Sequence, residues 1–141
     1  MGNWKVLALG SAFFAGLTAV FGKLGVAGID PDMATLIRAA IILMLTFAIA
    51  CARGLRWPSG GIARGPMGYI ALSAVCTGLS WLLYYRALRT GPASRVAPID
   101  KLSVVFAMGL AALFLGERVG ARVALGGGLI VAGALLISTA S

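Results

Sequence analysis

Arg38, Asp100 and Lys101 interrupt stretches of the chain that are otherwise apolar. An ionisable residue inside a membrane-spanning helix marks a substrate or ion path by default. Two cations and one carboxylate suit anion recognition: Arg38 and Lys101 offer contacts for a carboxylate or phosphate, and Asp100 balances them or carries a proton. The alternative is an Arg38 to Asp100 pair between helices that only fixes the fold, leaving Lys101 without a partner.

Around this trio stand Trp81, Tyr84 and Tyr85. They read either as an interfacial aromatic belt or as walls of a cavity. Adjacent helical residues point about 100° apart, so one Tyr can face lipid while the other faces inward. Pro98 removes a backbone hydrogen bond just before Asp100 and Lys101. It is either a tolerated kink or a helix break that exposes polar backbone to a cavity. Ala124, Gly128 and Ala132 repeat every four residues, a small-residue ridge suited to close helix packing, within the chain or across a dimer.

Other chemistry is excluded by inventory. The 141 residues include no His, two Cys and four acidic side chains. A His/Cys metal site, a Ser-His-Asp triad and a resident cofactor are therefore not expected, and neither is an enzyme. Cys51 and Cys76 imply no disulfide framework.

The elements that position these residues follow from hydropathy. Apolar residues make up 60% of the chain and charged ones 11%, against roughly 45–50% and about 25% in soluble domains. That excess belongs in a bilayer, where each helical span needs about 20 apolar residues. Charge-free stretches run over 6–22, 39–52, 65–85, 102–116 and 123–141. The first is not followed by a cleavage site and a soluble domain, so it is expected to persist as a helix. The second and fourth become full spans only by taking in Arg38 and the Asp100-Lys101 pair. The second gains roughly 3–4 kcal/mol from its large apolar residues, enough to offset one central Arg at about 2.5–3.5. The fourth gains roughly 4–5 kcal/mol against about 5–7 for its two charges, so it needs its neighbours.

These sums predict an all-α, polytopic membrane protein, one domain over 1–141 with helices at about 4–27, 32–52, 66–88, 93–115 and 119–139. Gly28 to Asp32 breaks the chain after the first helix, with Asp32 placed to cap the second. Thr90-Gly91-Pro92 makes a tight turn, and the only sizeable loop, 53–66, carries Trp57. Arg38 and Lys101 each stand ten residues past a turn glycine, Gly28 and Gly91. Two helices entering from one membrane face thus carry a cation about 9–12 Å deep.

The formal charge of +8 would suggest nucleic acid in a soluble protein. Here the basic residues lie mostly between spans, so lipid headgroups are the expected partner and nucleic acid is not. With side A defined as that of the N-terminus, it carries Lys5, Arg53, Arg56, Arg64, Arg118 and Arg122. Side B carries Lys23, Arg86, Arg89 and Arg95. The small excess gives a mild preference for a cytoplasmic N-terminus.

Three segments resemble the EamA-type domain of the drug/metabolite transporter superfamily. They are Trp81-Leu82-Leu83-Tyr84-Tyr85-Arg86-Ala87-Leu88, Gly91-Pro92-Ala93-Ser94-Arg95-Val96-Ala97-Pro98-Ile99-Asp100-Lys101-Leu102-Ser103 and Leu115-Gly116-Glu117-Arg118. The likeness extends more loosely over nearly the whole chain. It implies half of a ten-helix inverted-repeat transporter, since larger relatives carry two such units in one chain and export amino acids, other metabolites or drugs. Small multidrug resistance transporters, more distant relatives, carry a first-helix carboxylate that has no counterpart in 6–22. The expectation is a multi-pass inner-membrane secondary transporter, an exporter of a small polar or charged metabolite by alternating access. It would act as a homodimer, parallel or antiparallel, with substrate contacts at Arg38, Lys101, Asp100, Trp81, Tyr84 and Tyr85. The competing expectation is a non-transporting accessory or assembly subunit.

Overall fold

A computed structural model describes residues 3–56, 58 and 60–139. Trp57, and the outermost residues of the expected 1–141 domain, lie outside the described residues. The described chain is helical: α1 (Trp4–Gly25), α2 (Pro31–Ala52), α3 (Arg64–Thr90), α4 (Ala93–Asp100), α5 (Ser103–Phe114) and α6 (Ala121–Thr139). Five stretches are long and apolar enough to cross a membrane, with α4 and α5 forming one of them, Ala93–Phe114. Large apolar side chains remain exposed along every span, among them Phe14, Phe47, Leu83 and Phe114. This is the surface a helix presents to lipid rather than to water.

The helix ends are chemically marked. Asp30, not Asp32, is the N-cap of α2: its Oδ1 accepts from the backbone N–H of Asp32 (2.9 Å) and Met33 (3.3 Å). Pro31 fixes this choice, because a proline lacking an N–H fits the first helical position and puts the cap one residue earlier. At the other end of α2, Gly54 adopts φ +63°. There Gly54 N–H donates to Cys51 O and Leu55 N–H to Ala50 O, a Schellman closure that uses the conformational freedom of glycine.

The fourth span is broken, and later than its proline. Pro98 stays inside α4. The interruption follows at Lys101 and Leu102, whose N–H groups donate three residues back, to Pro98 O (3.1 Å) and Ile99 O (3.0 Å). The tighter turn separates α4 from α5 directly after Asp100.

The chain divides into two compact units, one of residues 1–23 with 90–141, the other of residues 24–89. In the second unit the buried side chains are Val26, Pro31, Ala34, Thr35, Tyr85 and Leu88. All belong to the α1–α2 turn, the start of α2 or the end of α3. The helix pair is therefore packed at its B-side end and separates toward side A. In the first unit α6 packs against α4 and α5, with Gly127 and Ala134 buried. A Cβ at Gly127 would stand 3.0 Å from Met108 Cε, so α5 crosses α6 at the missing side chain.

Candidate functional site

Arg38 lies on α2 one turn beyond the buried Thr35. Its guanidinium carbon is 4.2 Å from the ring centre of Trp81 and 5.5 Å from that of Tyr85. Trp81 and Tyr85 are four residues apart on α3 and so share a face. Tyr85 is buried, and Tyr84 meets it edge-on at 6.3 Å between ring centres. Of the two tyrosines, Tyr85 is the one turned to the cation. Each such cation–π contact is worth roughly 0.5–1 kcal/mol when exposed and about 2 when desolvated. Among the described residues of its unit, no carboxylate or carbonyl hydrogen-bonds to Arg38.

Trp81 is also one wall of a cleft of about 650 Å³ between α2 and α3, lined by Thr35, Ala39, Tyr69, Ile70, Ser73, Ala74, Thr77 and Gly78 besides. Tyr69, Ser73, Thr77, Trp81 and Tyr85 are spaced four apart. The first four line the cleft as a run of hydroxyls and aromatic rings along α3. Charge patterning alone missed this run, although its spacing is visible in the sequence. The Thr77 hydroxyl donates to Ser73 O (2.9 Å) and that of Thr35 to Pro31 O (2.8 Å). Their lone pairs remain as neutral acceptors.

The narrow end of the cleft is clamped. Arg86 Nε donates to Asp32 Oδ1 (2.9 Å), Arg86 Nη2 to Asp32 Oδ2 (2.7 Å), and Arg89 Nη1 to Ile29 O (2.9 Å). In the other unit, Lys23 Nζ donates to Gly91 O (2.9 Å). Three cations assigned from sequence to headgroups thus bind the turns on their own side. The available signal was Asp30 and Asp32 in one turn and an Arg pair at i, i+3 ending the next helix.

Asp100 and Lys101 belong to the first unit and pair with each other, Nζ to Oδ2 at 3.3 Å. Lys101 and Pro98 line a groove of about 430 Å³ between α4 and α6, otherwise walled by apolar residues such as Leu129, Ile130 and Ile137. The sequence-derived contacts thus fall into two groups, each within its own unit: Arg38 with Trp81, Tyr84 and Tyr85, and Asp100 with Lys101 and Pro98. Ala124, Gly128 and Ala132 are exposed, and open space surrounds a Cβ placed at Gly128. The intrachain contact of α6 instead uses Gly127 and Ala134.

The comparisons with known proteins agree with this architecture. The EamA-like transporter family model matches residues 2–139. The chain is similar to an uncharacterized transporter in the cobO 3' region of Sinorhizobium sp, with 48% identity over 136 residues, 96% of each chain. No solved structure matches the chain.

Proposed function

The chain belongs to the EamA-like transporter family, which makes it a multi-pass membrane transporter and not an enzyme, and we propose that it moves a small metabolite bearing a carboxylate or phosphate. The observation that carries this reading is Arg38: a cation seven residues into a spanning helix, held on Trp81 and Tyr85 beside a 650 Å³ cleft, with no carboxylate of its unit engaged. Charged groups in spans are nearly always paired unless they serve a ligand or an ion. The volume lies in the roughly 300–1,000 Å³ range of small-molecule sites. Lys101 and Asp100 form an ion pair of their own within the other unit.

Transport proceeds by alternating access. The supporting feature is the α2–α3 pair, clamped by Asp32 and Arg86 at side B and separated toward side A. A clamp that rests on an exposed ion pair is inexpensive to open. The direction is export across the inner membrane, as in the double-length proteins the sequence resembles. The working form is an antiparallel homodimer, because five spans place the two termini on opposite sides and inverted repeats commonly enclose one pathway. The exposed Ala124, Gly128 and Ala132 face is available for that contact.

Proteoliposomes made from the purified chain test the transport reading: carboxylate or phosphate metabolites should exchange, and Arg38→Gln should abolish the flux in a folded protein. Absence of flux for an anionic panel would favour an accessory subunit. C-terminal reporters, one active only in the cytoplasm and one only outside it, test the arrangement. Signal from both is expected, and signal from one alone rejects the antiparallel dimer.

A further inference from the structure

We propose that the α2–α3 cleft selects a monocarboxylate with a largely apolar body and no ammonium group, an assignment that rests on reading this cleft as the transport site. The first argument is charge matching. Among the described residues, none of those lining the cleft is a cation, and Arg38 borders it through Trp81. One guanidinium neutralises one carboxylate, whereas a phosphate monoester carries about −1.5 to −2 at neutral pH. A phosphate ligand would leave excess charge within the span, where each uncompensated charge is costly.

The second argument is orientation. The Trp81 ring, 4.2 Å away, holds the guanidinium by its face. Arginine has five N–H donors in a planar fork. With none of them taken by a carboxylate of the unit, the edge of the fork remains for a planar two-oxygen acceptor, the bidentate geometry of a carboxylate.

The third argument concerns what the cleft lacks. No Asp or Glu is among its described lining residues. The ammonium of an amino-acid zwitterion would therefore meet the Arg38 charge with no anion in return. Among its described lining residues the side-chain oxygens are uncharged hydroxyls, those of Thr35 and Thr77 having already donated their protons to Pro31 O and Ser73 O. A neutral hydroxyl compensates an ammonium poorly beside a like charge. Apolar walls instead favour a body of hydrocarbon or an aromatic ring.

Four probes sharing one aromatic body separate these arguments: 3-phenylpropionate, phenylalanine, phenyl phosphate and 3-phenylpropanol. Each is titrated against the purified full chain in nanodiscs by competition with labelled 3-phenylpropionate in equilibrium dialysis. The expected order has 3-phenylpropionate at least tenfold tighter than each of the others. Arg38→Gln should weaken it at least tenfold. Arg38→Lys, which keeps the charge but loses the fork, should reduce its preference over phenylalanine without preventing insertion. Phenylalanine or phenyl phosphate binding as tightly, yet still depending on Arg38, would overturn the ligand class while the site stands. Binding of 3-phenylpropionate unchanged by either substitution would overturn the site itself, and so would no binding of any probe.

Discussion

The Arg86 guanidinium grips both carboxylate oxygens of Asp32, at 2.9 Å through Nε and 2.7 Å through Nη2. This bidentate contact joins the end of α3 to the first turn of α2. Both side chains are largely exposed, so the pair adds little to global stability. Its effect is geometric, because it fixes the end at which the two helices meet.

Arg86→Ala should therefore leave thermal unfolding nearly unchanged while loosening the B-side end. The check is maleimide labelling of Ala34→Cys, a buried position beside the clamp, in a chain with Cys51 and Cys76 replaced by Ala. Severalfold faster labelling is expected when Arg86 is removed. Arg86→Lys, which cannot make the planar two-point contact, should fall between. Equal labelling in all three would remove the clamp from the account.

Gly127 and Gly128 are neighbours with opposite surroundings. Gly127→Leu drives a side chain into Met108 and Val105 and should cost about 1–3 kcal/mol as overpacking. Gly127→Ala should be milder, since the flexible end of Met108 can give way. Gly128→Leu meets open space and should leave the monomer fold intact while weakening the dimer. Unfolding curves in one detergent, together with chemical cross-linking, distinguish the two. A cross-linked dimer that survives Gly128→Leu would move the interface elsewhere.

Asp100 and Lys101 share one ion pair in the fourth span. Lys101→Met should abolish transport in a protein that still inserts, since an insertion cost of about 2.5–3.5 kcal/mol disappears with the charge. The double variant Asp100→Asn/Lys101→Met removes about 5–7 kcal/mol and leaves no lone carboxylate behind. In a glycosylation assay of the isolated span, its inserted fraction should rise well above that of the native segment. Full flux in either variant would confine the pair to a structural role.

Hydropathy made the five spans legible, including the two that carry charge, because the cost of an Arg or of an Asp-Lys pair can be set against counted apolar residues. The position of the break was not legible. Pro98 identifies a missing donor, but the helix breaks at Lys101 and Leu102, where two N–H groups shift to acceptors three residues back. The same limit applies at the site. Sequence left Trp81, Tyr84 and Tyr85 as either a lipid belt or cavity walls, and only the approach of α2 to α3 makes Trp81 and Tyr85 a shelf for Arg38. Asp32 was read as a cap because local chemistry allowed it, and a partner 54 residues away claimed it instead.

The packing of α4 on α6 has a consequence for biogenesis. The apolar residues of the fourth span do not offset its two charges alone, and the helix against which α4 packs follows it in the chain. A ribosome that has just released residues 93–115 into the translocon has not yet supplied that partner. The segment must wait, sheltered by the insertion machinery or by earlier helices, until α6 emerges. On these costs the fourth span and the nineteen-residue α6 are expected to integrate together, the later helix supplying the partner that the charged one lacks.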